Sequence, residues 1–174
     1  MTPFHFEHDF RAPSVAVLFS AYFDPGLIEE HDRLAEISHR EVLELDDRED
    51  ELHRVCKVVP QRQLPAVLRR FVAGDMSFVE RILWKKREDR IEQRIEPAIF
   101  GGRVEISAIY RLAAHDGGVM RRTYDGQVSV RIHLLGGRIE RTLIEEMDRS
   151  MQTMAATTQR WLDDHYYSGV ILAR

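Results

Sequence analysis

The chain is poor in several things that would have placed it quickly. It holds one cysteine, Cys56, among 174 residues. No internal disulfide can form, which excludes a disulfide scaffold and points to a reducing compartment. The longest apolar run, Ser14 to Phe23, is half of what a bilayer crossing requires. Residues Met1 to Arg11 carry acids and no apolar core of a signal peptide. A cytoplasmic protein without stable membrane insertion is expected. The net charge is -4, with acids and bases interleaved, so the basic stripe of a nucleic-acid binder is missing. Eight histidines show no His-Glu-x-x-His spacing, and Cys56 has no cysteine partner, so neither a metal site nor a cofactor is expected. Glycine-rich phosphate loops, repeats, low-complexity segments and linkers are lacking too. An apolar fraction of 44% and a charged fraction of 31% are those of an ordinary globular chain, and at this length one domain is expected.

What the chain does have is periodicity. Phe4, Phe6, His8 and Phe10 alternate with polar residues and predict a strand. Helical spacing follows from Val15 to Tyr22, stopped at Asp24-Pro25-Gly26, and again from Leu27 to about Glu36. Strands are then predicted at His39 to Asp46, Glu51 to Val59, Met76 to Lys86, Arg90 to Pro97, Val104 to Leu112 and Met120 to Leu135. The stretch from Leu64-Pro65 to Val72, closed by Gly74, reads as a short helix or a loop excursion. Gly101-Gly102, Gly117-Gly118 and Gly136-Gly137 read as turn pairs suited to positive φ. Strands joined by short turns, with no strand-helix alternation, make an antiparallel sheet.

The last third is the most telling. From Arg138 to about His165 one apolar stripe passes through Ile139, Leu143, Met147, Met151, Met154 and Trp161, while Arg141, Glu145, Arg149 and Gln152 fall opposite. At 1.5 Å per residue that helix is roughly 40 Å long. It needs a broad apolar surface, and the strands before it supply a curved sheet. A loose tail is expected from about residue 166.

The whole order, one strand, two short helices, six antiparallel strands and a long C-terminal helix, resembles the START-like superfamily, also called Bet v 1-like or polyketide cyclase and lipid-transport. Leu64-Pro65, Trp84, Pro97 with Gly101, and the run Gly126, Val128, Val130, Leu134, Gly136, Ile139 and Glu140 are similar to an uncharacterised bacterial branch of it. His133 departs from that branch, where proline is frequent. The resemblance implies an α+β helix grip: a curved seven-stranded sheet wrapped on the last helix, as a single domain over residues 1–174. It also implies a ligand-cavity habit, and it brings no catalytic residue.

The bland reading competes at each candidate site. Met147, Met151 and Met154 form either a flexible cavity wall or plain core filling. Glu80 shares a strand face with Phe78, Ile82 and Trp84. A carboxylate there is a ligand anchor, a general base, or one half of a structural pair with an arginine such as Arg54 or Arg122. Tyr110 either orients a ligand or ties two strands together. Cys56 reads as a small buried hydrophobe, and Lys85-Lys86-Arg87 as a solvated hairpin tip. The expected ligand-facing set is Phe78, Glu80 and Trp84, with Tyr110, Val128 and Val130 from later strands and Met147, Met151 and Met154 from the helix. The expected function is a carrier or sensor of a hydrophobic or amphipathic small molecule. A cyclase-type enzyme using the same cavity and a protein-interaction module without a small ligand remain the alternatives. The sequence assigns neither a ligand identity nor an oligomeric state.

Overall fold

Alternation sorts the strands into one seven-stranded antiparallel sheet of order β1-β7-β6-β5-β4-β3-β2 in a computed structural model that describes residues 1–61, 76–98 and 101–167. The elements are β1 (Thr2–Arg11), α1 (Val15–Tyr22), α2 (Pro25–Leu34), β2 (Ile37–Asp47), β3 (Glu51–Pro60), β4 (Phe78–Lys85), β5 (Arg90–Pro97), β6 (Val104–His115), β7 (Val119–Val130) and α3 (Gly136–Leu162). A π-helical turn, Asp163–Tyr167, prolongs α3. The expected excursion at Leu64-Pro65 to Val72, with Gly74, lies outside the described residues.

Strands β1, β6 and β7 bury the residues of one parity. In β1, Phe4, Phe6 and Phe10 are buried while His5, Glu7 and Arg11 are exposed. The first and last strands pair along their length, from Thr2 opposite Val128 to Arg11 opposite Val119. The two short helices begin on side-chain caps: Ser14 Oγ accepts from the Val17 N–H at 3.2 Å, and Asp24 Oδ1 accepts from the Leu27 N–H at 3.0 Å, with Pro25 in the first turn. Leu18, Phe19 and Leu27 then reach the core.

The helix α3 packs against β1, β7 and α2, and both of its ends are fastened. At its start, Glu140 is buried and accepts from the Val130 N–H at 2.9 Å and the Thr2 hydroxyl at 2.6 Å, with the Met1 amino group 3.0 Å away. Burial opposes its ionisation, but these three donors outweigh that and hold its carboxyl below the usual range. At the far end Leu162 is buried, Gln159 bonds the Arg11 backbone, and Arg160 meets Glu30 at 2.6 Å.

The boundaries around the start of α3 differ most tellingly from the expected ones. β7 stops at Val130 instead of Leu135, and α3 begins at Gly136 instead of Arg138. Gly136 and Gly137 therefore open a helix and do not form a positive-φ turn. The positive φ falls on the exposed Leu134, at 63°. Gly136 is required for a different reason: a Cβ there would sit 2.5 Å from the Val130 carbonyl oxygen. The pairs Gly101-Gly102 and Gly117-Gly118 do have positive φ.

Candidate functional site

The concave face of the sheet, under the middle of α3, holds part of the candidate set. On β4 the inward residues are Phe78, Glu80, Ile82 and Trp84. Aromatic rings from α1 and its C-terminus close over one end. Trp84 stacks on Phe19 at 5.2 Å and Phe23 at 5.0 Å, and Tyr110 lies 5.1 Å from Tyr22. Register places Trp84, Ile91, Tyr110 and Tyr124 in one row across four strands.

Glu80 is buried, and both of its oxygens are occupied. Arg40 Nη1 donates to one at 2.9 Å, and Gln93 Nε2 donates to the other at 2.6 Å. Arg40 also grips Asp32 through two bonds of 2.7 and 2.8 Å. Tyr124 donates its hydroxyl to the Gln93 carbonyl oxygen. The arginine that partners Glu80 is therefore Arg40 on β2, in place of the expected Arg54 or Arg122. Burial works against the Arg40 charge, but Asp32 and Glu80 raise its pKa above the ordinary value. Each Glu80 oxygen already accepts a bond from a side chain of the fold, which favours the structural-pair reading over the general base.

Arg122 behaves differently. It sits on the inner face of β7, 4% exposed, with its guanidinium 5.1 Å from the Phe10 ring and 5.7 Å from the Tyr110 ring. Nη2 reaches the Met151 carbonyl at 3.4 Å, and Nε has no hydrogen-bond partner. Its neighbour across the β1–β7 ladder is His8. Burial, then the Arg122 charge, pull the His8 pKa from 6.5 to about 4. Burial pushes the Tyr110 hydroxyl up, partly countered by Arg122. Burial does the same to Tyr22 and Tyr124.

The expected ligand-facing residues do not all converge. Trp84, Tyr110, Met147 and Met151 share the core beneath α3, and the two methionines are only half-buried. Val130, by contrast, lies at the fastened start of α3 through Glu140, and Val128 is fully buried. Phe78 is half-buried beside Val58 and Pro97. Met154 stands apart from the packed core, its backbone bonded to His31 of α2. Sequence reasoning passed over Gln93 and Tyr124 as polar members of the face and named Arg122 only as a partner for Glu80. The signal was present, because Arg122 has the same strand parity as Met120, Tyr124 and Val128.

Other features are accounted for. The basic hairpin tip is neutralised: Lys86 meets Asp47 at 2.5 Å, Arg87 meets Asp50 at 2.6 Å and Lys85 meets Glu92 at 3.2 Å. A trough of about 720 Å3 lies on the outer face of the sheet, away from α3, and is bordered by Arg81, Glu92, Arg94 and Glu105. Among the described residues no group of histidine, cysteine and carboxylates comes together as a metal site, and no helix is long and apolar enough to cross a membrane.

Solved structures share this architecture. Ara h 8.0201 superposes with a TM-score of 0.65 at 15% identity, covering 94% of this chain and 99% of that one. The Zhui aromatase/cyclase from Streptomyces sp. R1128 gives 0.63 at 12%, covering 97% and 98%. A conserved protein from Geobacillus kaustophilus gives 0.62 at 14%, covering 94% and 96%. No curated protein matches in sequence. The model of the family described as "Protein of unknown function (DUF2505)" matches residues 5–162. The chain belongs to that family, and its helix grip is the fold of the START-like superfamily.

Proposed function

We propose that this protein binds a hydrophobic or amphipathic small molecule in the groove between the concave sheet face and the middle of α3, as a carrier or sensor. One observation carries the reading. The inner face of α3 is buried at both ends, by Ile139 and Glu140 and by Thr157, Thr158 and Leu162, while Leu143, Met147 and Met151 between them are only half-buried. A helix made solely to close a core turns its apolar stripe inward along its whole length. Here the centre packs on the core but is less buried than the ends, and it carries methionine, the side chain best able to repack around varied apolar shapes. Solved structures with the same fold include an aromatase/cyclase, which is in keeping with an apolar ligand.

A cyclase-type reaction is less well supported, since the inward carboxylate Glu80 is spent on Arg40 and Gln93. Native mass spectrometry of freshly purified protein tests the binding reading. A co-purified mass, or a rise in melting temperature with apolar compounds and none with nucleotides or sugar phosphates, is the expected result. An empty protein that no apolar compound stabilises would overturn it.

A further inference from the structure

Among the described residues, the concave face holds buried nitrogen donors with nothing to receive their hydrogens. Arg122 Nε and Trp84 Nε1 are both buried and without partners, and so is Nε of Arg54, which lies 5.0 Å over the Phe23 ring. Arg40 shows how this chain treats an inward arginine when structure alone is at stake: it supplies Asp32 and Glu80. Arg122 is more deeply buried than Arg40, yet among the described residues no carboxylate lies within ion-pair distance of it. Asp148 of α3, whose charge reaches His8, is bonded to Gln152 at 3.1 Å instead.

A buried guanidinium without a counter-charge is costly. The Phe10 and Tyr110 rings offset part of that cost by cation-π attraction. Ring faces, however, do not satisfy N–H groups, which point outward in the guanidinium plane. The unmet need is for a planar acceptor carrying negative charge, and a carboxylate meets that fork with two parallel bonds. The surroundings, Phe10, Tyr110 and Met151, with Met147 packed on the same core, suit an apolar body behind such a head group.

We propose that the groove selects an apolar carboxylic acid in its ionised form, with the carboxylate held by Arg122 and the hydrocarbon lying under Met147 and Met151. The proposal rests on the binding function above and names its ligand class. The neutral state of His8 beside Arg122 leaves the guanidinium as the charge that faces the head group.

The test pairs acids with neutral analogues of the same body: laurate against dodecanol, and 2-naphthoate against 2-naphthamide, each titrated into the full chain by displacement of a fluorescent apolar dye. The wild type should bind at least one acid about tenfold or more tightly than its analogue, as expected for a charge-assisted fork. In Arg122→Met that ratio should fall to about one, whereas Arg122→Lys, which keeps the charge and loses the fork, should retain part of it. Far-ultraviolet circular dichroism of each variant establishes that it is folded. If a variant does not fold, the wild-type ratios alone decide. Equal binding of acid and analogue in both pairs would overturn the head-group assignment while leaving an apolar groove in place. Binding of none of the four compounds would overturn the groove itself, and the assignment with it.

Discussion

The two faces of the sheet treat charge in opposite ways. On the outer face, arginines sit beside carboxylates. Arg94 meets Glu96 at 2.9 Å and Glu105 at 3.1 Å, Arg90 meets Glu92 at 2.9 Å, and Arg121 meets Asp9 at 2.7 Å. These pairs are at least partly open to solvent, and each contributes little. On the inner face, charge is rare and costly to hold, and it comes in two forms. Arg40 is paired with two acids, whereas among the described residues Arg122 and Arg54 have rings and no acid. Ion pairs on the outer face hold water and solubility. An inner arginine that no described acid meets is the need that the proposed ligand carboxylate would answer.

The largest expected effect sets the two faces against each other directly. Arg40→Ala strands Glu80 and Asp32, whose side chains are 12% and 18% exposed. Loss of one partner from such a buried network should cost about 3 kcal/mol. Arg94→Ala on the outer face, where the side chain is 52% exposed, should cost less than about 0.5 kcal/mol. Denaturant midpoints with unchanged m-values measure both. Equal costs would show that the two faces do not differ in this way.

The next effect concerns the fastened start of α3. Glu140→Ala leaves the Val130 N–H buried and unpaired and should cost about 1–3 kcal/mol. Because its folded pKa is depressed, the stabilisation is complete above the unfolded carboxyl value. It is lost as pH falls through the folded one. In Glu140→Gln, unfolding free energy should therefore vary less with pH in the acid range than in the wild type. An unaltered acid dependence would remove Glu140 from this role.

The middle of α3 should respond less than its ends. Met151→Ala removes a half-buried side chain and should cost about 1–2 kcal/mol, below the 2–5 kcal/mol range of tightly packed sites. Ile139→Ala, at a fully buried position, should fall inside that range. A Met151 cost at or above the Ile139 cost would mean that the centre of the helix is filled core, against an open groove.

Much of this was legible in the sequence, and the rest was hidden for identifiable reasons. Strand parity and the stripe from Ile139 to Trp161 carried the sheet, the helix and its water-facing residues Arg141, Glu145, Arg149 and Gln152, all exposed as expected. Boundaries failed where tertiary contact overrides local pattern. The apolar alternation through Ile132 and Leu134 extends β7 on paper, but the chain turns after Val130 so that Glu140 can receive its N–H. The partner of Glu80 was not readable, because β2 meets β4 only through β3 and nothing local ties residue 40 to residue 80. The division of Trp84 and Met151 from Val130 and Met154 was equally out of reach. Periodicity tells which face a residue takes and not how far along the helix the gap opens.

The smallest expected effect sharpens the same contrast with two histidines on one strand. His5 and His8 are three residues apart on β1 and point to opposite faces. His5, on the outer face, bonds Asp125 at 2.6 Å, and that hydrogen bond raises its pKa. Any stability it adds is full below the unfolded histidine value and fades as pH rises through the folded one. His8, on the inner face, has its pKa lowered from 6.5 to about 4 by burial and by Arg122. It must stay neutral to fold, so its stabilising contribution is full above 6.5 and is lost as pH falls toward about 4. His31, lowered by burial, acts in the same direction. Since His8 is only partly buried, the loss between pH 6.5 and 5, before most carboxylates titrate, should be about 1 kcal/mol. Chemical denaturation across that window in wild type, His8→Gln and His5→Gln separates the two. His8→Gln should flatten the fall on acidification, and His5→Gln should leave it as steep or make it slightly steeper. A fall that His8→Gln leaves untouched would show that the inner face tolerates a second positive charge beside Arg122. That would weaken the argument that an acid is missing there.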